Sequence, residues 1–210
     1  MMQEVMNYPG LNLGAAHQQA HEAGEVPTFG FWVFLMSDLI LFGLMFATYV
    51  TMLTPMGFAG GPQPKDLYDL RSALLQTGLL LASSFTFGLA SLALKHNKDA
   101  RALVCWVVVT LLLGTSFIAL ELRDFSHLFT LDAVPSRSGF LSAFFGLVPL
   151  HGLHVAGGCL WLLVMLVQIG NFGLSTAVKI RLLRLGLFWH FLDIVWIGIF
   201  SLVYLAGLVR

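Results

Sequence analysis

Charged residues are so sparse along this chain that their positions, more than any amphipathic period, divide it into elements. The run from about Phe29 to Leu53 contains one, Asp38. The runs between Arg71 and Lys95 and between Arg101 and Glu121 contain none, and no Asp, Glu, Lys or Arg lies between Arg137 and Lys179. The last apolar stretch covers about Leu185 to Val209 and is interrupted by Asp193. About 20 apolar residues cross a bilayer as a helix. The pattern therefore predicts an all-α membrane protein, a bundle of five transmembrane helices over about 29–53, 72–94, 102–121, 139–169 and 185–209.

Short polar segments join the spans. "TPMGFAGGPQPKD" is rich in Pro and Gly, "KHNKDAR" is a tight basic turn, "RDFSHLFTLDAVPSR" is longer, and "NFGLSTAVKIR" is again basic. Residues 1–28 hold no Lys or Arg and no apolar core, which predicts a flexible polar tail rather than a cleaved signal, with His17 and His21 solvated. Residues 29–210 then form the transmembrane domain.

Composition agrees with the pattern. The chain is 58% hydrophobic and only 10% charged, with a mean hydropathy of +0.84, whereas soluble domains carry about 25% charged residues. Net charge is zero, with no basic excess for nucleic acid. Lys and Arg favour the cytoplasmic side. Lys95, Lys98, Arg101, Lys179, Arg181 and Arg184 cluster beside loops two and four, against a scattered Lys65, Arg71, Arg123, Arg137 and Arg210. The N-terminus is thus expected in the cytoplasm and the C-terminus outside. Cys105 and Cys159 lie far apart in apolar runs, in no metal-binding spacing, and read as small packing residues. Gly43 and Ala47, Ser84 and Gly88, and Gly152 and Ala156 are small pairs four apart, of the kind that lets helix backbones approach closely.

The informative residues are the ionisable ones within the spans: Asp38, His151, His154, His190 and Asp193, with Glu121 at the outer end of the third span. At about 1.5 Å per residue, Asp38 lies roughly 14 Å from the inner end of its helix, and Asp193 roughly 12 Å. His151 and His154 reach overlapping levels from the outer side. His151 and His154 are three apart and share a helix face, as do His190 and Asp193. Three uses fit such groups. They can pair with one another between helices, the usual fate of polar residues in membranes. Two histidines on one face can ligate a metal or haem, although no Cys, Glu or third histidine adjoins them. Chains of Asp and His also build proton relays. Pairing predicts partners for His190 and Asp193 on the first and fourth spans. Pro149 removes a backbone hydrogen bond just before His151.

The stretches "FGFWVFLMSDLILFGLMFATYV", "SGFLSAFFGLVPLHGLHV" and "RLGLFWHFLDIVWIGIFSLVYL" closely resemble subunit III of the haem–copper respiratory oxidases, with the bacterial bo-type ubiquinol-oxidase branch as the nearest likeness. The resemblance covers about residues 29–207. It implies a non-catalytic chain carrying no haem, copper or other cofactor. The redox groups would sit in a partner subunit I, with subunits II and IV in the same complex and phospholipid bound in a cleft. The complex would oxidise ubiquinol, reduce oxygen to water and pump protons in a bacterial inner membrane. Asp38 falls where the family has an intramembrane carboxylate. His151, His154, His190 and Asp193 fall on signature positions, and Glu121 on an acidic one. A cytochrome c oxidase subunit III is the near alternative, and a small proton-coupled transporter or channel is the alternative from another class.

Overall fold

The computed structural model describes residues 17–95 and 100–209; the side chains of 17–25, 65, 66, 208 and 209 are outside the described set. Among the described residues every regular element is helical. In hydrocarbon a backbone must satisfy its own N–H and C=O groups, and an apolar chain of this kind does so only by coiling. Five helices among the described residues are long and apolar enough to cross a membrane: α1 (His17–Met52), α4 (Leu70–Lys95), α5 (Ala100–Thr130), α6 (Gly139–Phe172) and α7 (Thr176–Ile199). Two one-turn helices, α2 (Pro55–Phe58) and α3 (Pro64–Leu67), fold the first connection.

Helix ends follow local chemistry. The Ser138 hydroxyl accepts from the Leu141 amide at 3.1 Å and caps α6, and Gly173, at φ +60°, ends it. A π-helical segment, Phe200–Leu205, continues α7 before the short α8 (Ala206–Val209). It buries Val203 and Tyr204.

The helices run beyond their apolar windows. α1 begins at His17, twelve residues before the expected start, and continues through Pro27. The tail reading counted apolarity, but Gln18, Gln19, Ala20, Glu22 and Ala23 are good helix formers. Residues 1–16 and the side chains of His17 and His21 lie outside the described residues. α5 likewise continues nine residues past Glu121, because Leu122 to Thr130 contains no Gly or Pro to stop it.

α6 and α7 form the centre of the bundle. α4 and α5 pack together on one side, while α1 lies against α6 and α7. The outward side of α1 exposes Phe29, Val33, Ile40 and Leu44, as suits contact with acyl chains.

Candidate functional site

Among the described residues, polar side chains meet between these helices in several places, and the predicted site residues fall in three of them. The first joins α1 to α6. His154 Nδ1 lies 2.7 Å from the Leu150 carbonyl one turn earlier, so this nitrogen carries a proton and donates. The opposite ring nitrogen, Nε2, faces Asp38 Oδ2 at 3.7 Å. That gap is too long for a hydrogen bond and within range of an ion pair. Attraction across it requires a proton on one of the two atoms.

His151, one turn before His154, turns into the core and is 0% exposed. Its ring stacks on Trp196 with centroids 5.4 Å apart and meets the edges of Phe117 and Phe42. Neither ring nitrogen has a hydrogen-bond partner in the protein. The two histidines thus share a helix side, as their spacing predicts, but share no ligand: one faces a carboxylate, the other three aromatic rings.

The second group joins α4 to α7. Ser84 Oγ lies 2.7 Å from His190 Nδ1, and Asp193, three residues on and on the same side of α7, is buried. The expected partner of His190 on the first or fourth span is therefore corrected to a serine on the second. The cause is helix rotation. α7 is apolar on nearly every side, so its sequence does not fix which flank faces which neighbour. Two tryptophans reinforce the seam, Trp189 Nε1 donating to Ser83 Oγ at 3.1 Å and Trp196 Nε1 to Thr77 Oγ1 at 3.0 Å.

Glycines here seat aromatic rings more than they bring backbones together. A methyl added at Gly114 or Gly158 would come within 2.9 Å of the Trp189 ring, and one at Gly186 within 2.8 Å of Phe87. The small-pair expectation is corrected accordingly. Methyls at Gly43 and Gly88 would meet nothing within 4 Å, and Gly152 receives the Glu121 carboxyl group.

The third group closes the end of the bundle near the first and third connections. Asp124 Oδ2 accepts from Ser72 Oγ at 2.6 Å and from Gln76 Nε2 at 2.8 Å, tying α4 to α5. Glu121, one turn earlier and 4% exposed, shares a small cavity with Gln76 and Asp124. Tyr68, in the connection, lies 3.3 Å from Tyr49 through their hydroxyls. Burial pushes the Tyr68 hydroxyl well above its ordinary pKa, so it stays protonated. Sequence reasoning named Glu121 but missed Asp124, Gln76 and Ser72. The three-residue spacing of Glu121 and Asp124 was the available signal, once the helix is known to extend past 121.

Among the described residues, no three His, Cys, Asp or Glu side chains converge as metal ligands.

Comparison with known proteins places these residues in context. The profile of the family described as "Cytochrome c oxidase subunit III" matches residues 10–208. Cytochrome bo(3) ubiquinol oxidase subunit 3 of Pseudomonas aeruginosa is 47% identical over 195 residues, covering 93% of this chain and 92% of that protein. The protein of that name from Buchnera aphidicola is 43% identical over 86% of this chain and 91% of its own length. Quinol oxidase subunit 3 of Bacillus subtilis is 38% identical over 94% and 95%.

Proposed function

Because the chain belongs to the cytochrome c oxidase subunit III family, we propose that it is the subunit III of a bo-type ubiquinol oxidase: a membrane subunit that supports assembly and sustained turnover without holding a redox centre. The carrying observation is the match along nearly the whole chain to proteins named as subunit 3 of bo(3) ubiquinol oxidases. The family profile is named for cytochrome c, whereas these relatives are quinol oxidases, and the choice of quinol follows them. Haems and copper belong to a partner subunit I, and subunits II and IV complete the complex in a bacterial inner membrane, N-terminus in the cytoplasm and C-terminus in the periplasm.

The geometry supports a scaffold. Asp38, His154, Ser84 and His190 are used between helices. In lipid such bonds add little each, about 0.6 kcal/mol on average, but a misrotated helix strands a polar group in hydrocarbon. Their main effect is to select one arrangement. His190 keeps an exposed ring within the α7 span, which suits a surface covered by another transmembrane subunit. Phospholipid has a matching place in an apolar groove of about 330 Å³ where Phe31 and Phe34 of α1 face Leu153, His154 and Trp161 of α6.

Purification through a tag on this chain tests the reading. A haem-bearing complex with ubiquinol oxidase activity is expected, from which the dissociated chain emerges without visible absorption. Stoichiometric haem or copper on the isolated chain would overturn it.

A further inference from the structure

The cavity at the connection end of α4 and α5 carries a shortage of hydrogen-bond donors. It measures about 40 Å³ and is lined by Tyr68, Gln76, Glu121, Asp124 and Tyr204 among others. Gln76 is 1% exposed and Glu121 4%. Gln76 spends its amide N–H on Asp124 Oδ2, which also fixes its orientation, since the flipped amide would set oxygen against carboxylate. Its Oε1 is then left without a partner, and so is Glu121 Oε1. Two buried acceptors without a donor, lining one cavity, call for a small species rich in donors. A cavity needs roughly 10–15 Å³ of this volume for each water, so about three fit.

The surroundings grade from polar to enclosed. Asp69 and His127 are exposed at the rim, Asp124 is half-buried, and Glu121 is buried. Tyr204 reaches the lining from the π-helical segment, where the regular winding of α7 is interrupted. A cation is the competing occupant, but no three carboxylate, imidazole or thiolate side chains converge there among the described residues.

We propose that this cavity is a bound-water site, in which about three water molecules donate to Gln76 Oε1 and Glu121 Oε1 and link the buried Glu121 carboxyl to the surface at that end of the bundle. The site is independent of the oxidase reading: it rests on the donor count and the enclosed volume, and holds for this chain in whatever assembly it forms.

Hydroxyl-radical labelling by pulsed radiolysis of the full chain, in the assembly purified from membranes, tests the site, because radicals form where water is bound. Tyr68 and Tyr204 are each less than a tenth exposed, and Phe117 and Phe42 are fully buried and line no part of this cavity. Labelling of the two tyrosines several-fold faster than of the two phenylalanines is expected. Gln76→Leu combined with Glu121→Leu removes both acceptors and should bring the tyrosines down to the phenylalanine rate, while Glu121→Gln, which keeps an acceptor, should not. Tyrosines labelling no faster than Phe117 in the unaltered protein would overturn the proposal without any variant. So would a double variant that co-purifies normally and labels at the original rate, or a stoichiometric cation lost in that variant.

Discussion

His154 Nε2 stands 3.7 Å from Asp38 Oδ2, with the other nitrogen of the ring bound to its own helix at the Leu150 carbonyl. This relationship makes the histidine a rigid arm: its rotamer is held from α6 while its free end reaches α1. Coupling between the two residues is expected to be real but small, within about 0.6–1.7 kcal/mol as for other polar pairs between transmembrane helices. A double-mutant cycle with Asp38→Asn and His154→Gln, read as stability of the complex in detergent, should therefore show non-additivity of that size. Strict additivity would mean that the pair does not interact. Asp38→Ala should further weaken retention of this subunit or shorten activity under turnover, with haem spectra unchanged.

The α4–α7 seam predicts a different sensitivity. Ser84 holds His190 through its hydroxyl, so Ser84→Ala removes the imidazole's partner on α4. A cost of about 0.5–1.5 kcal/mol is expected, the net worth of one such hydrogen bond. Thermal melting of the detergent-solubilised protein would measure it, and a Ser84→Ala melting point equal to the parent's would refute the bridging role.

Two neighbouring glycines give a packing test with an internal control. At Gly158 a methyl would lie 2.9 Å from Trp189 Cζ3, whereas at Gly157 it would meet nothing within 4 Å. Gly158→Ala should destabilise by about 1–3 kcal/mol, the usual cost of overfilling a packed core. Gly157→Ala should be neutral or slightly favourable, since alanine is the better helix former by about 1 kcal/mol. Equal melting points for the two variants would show that Trp189 is not held as tightly as its seat implies.

These contrasts mark how much the sequence could reveal. The five spans were legible because hydrocarbon thickness imposes a length and charge marks the ends. The level of Asp38 and His154 was legible for the same reason, since depth is only residue count times rise, and the two do meet. Rotation about the helix axis was not. The α7 helix is apolar around nearly its whole circumference, so nothing in the sequence told His190 to face Ser84 of α4 rather than α1 or α6. Ser84 itself looked like a packing residue, because a small hydroxyl side chain suits both tasks. The Glu121 end was obscured differently: Arg123 and Asp124 read as loop because they are charged, and the helix passes through them.

His151 supplies the sharpest test, because spacing and surroundings disagree about it. It shares a helix side with His154, yet both of its ring nitrogens lack partners and its neighbours are Trp196, Phe117 and Phe42. Replacing an unpaired buried polar group by an apolar one of similar shape can be neutral or stabilising. His151→Phe keeps the ring over Trp196 and removes both unpaired nitrogens. Its melting point is therefore expected to equal or exceed the parent's, after allowance for a slightly larger ring, whereas His154→Phe should lower it by breaking the contacts with Leu150 and Asp38. If His151→Phe instead melts well below the parent, or melts normally but loses turnover in the complex, the imidazole nitrogens have work that the protein's own side chains do not reveal. A bound water or a transferred proton would then have to be sought at His151.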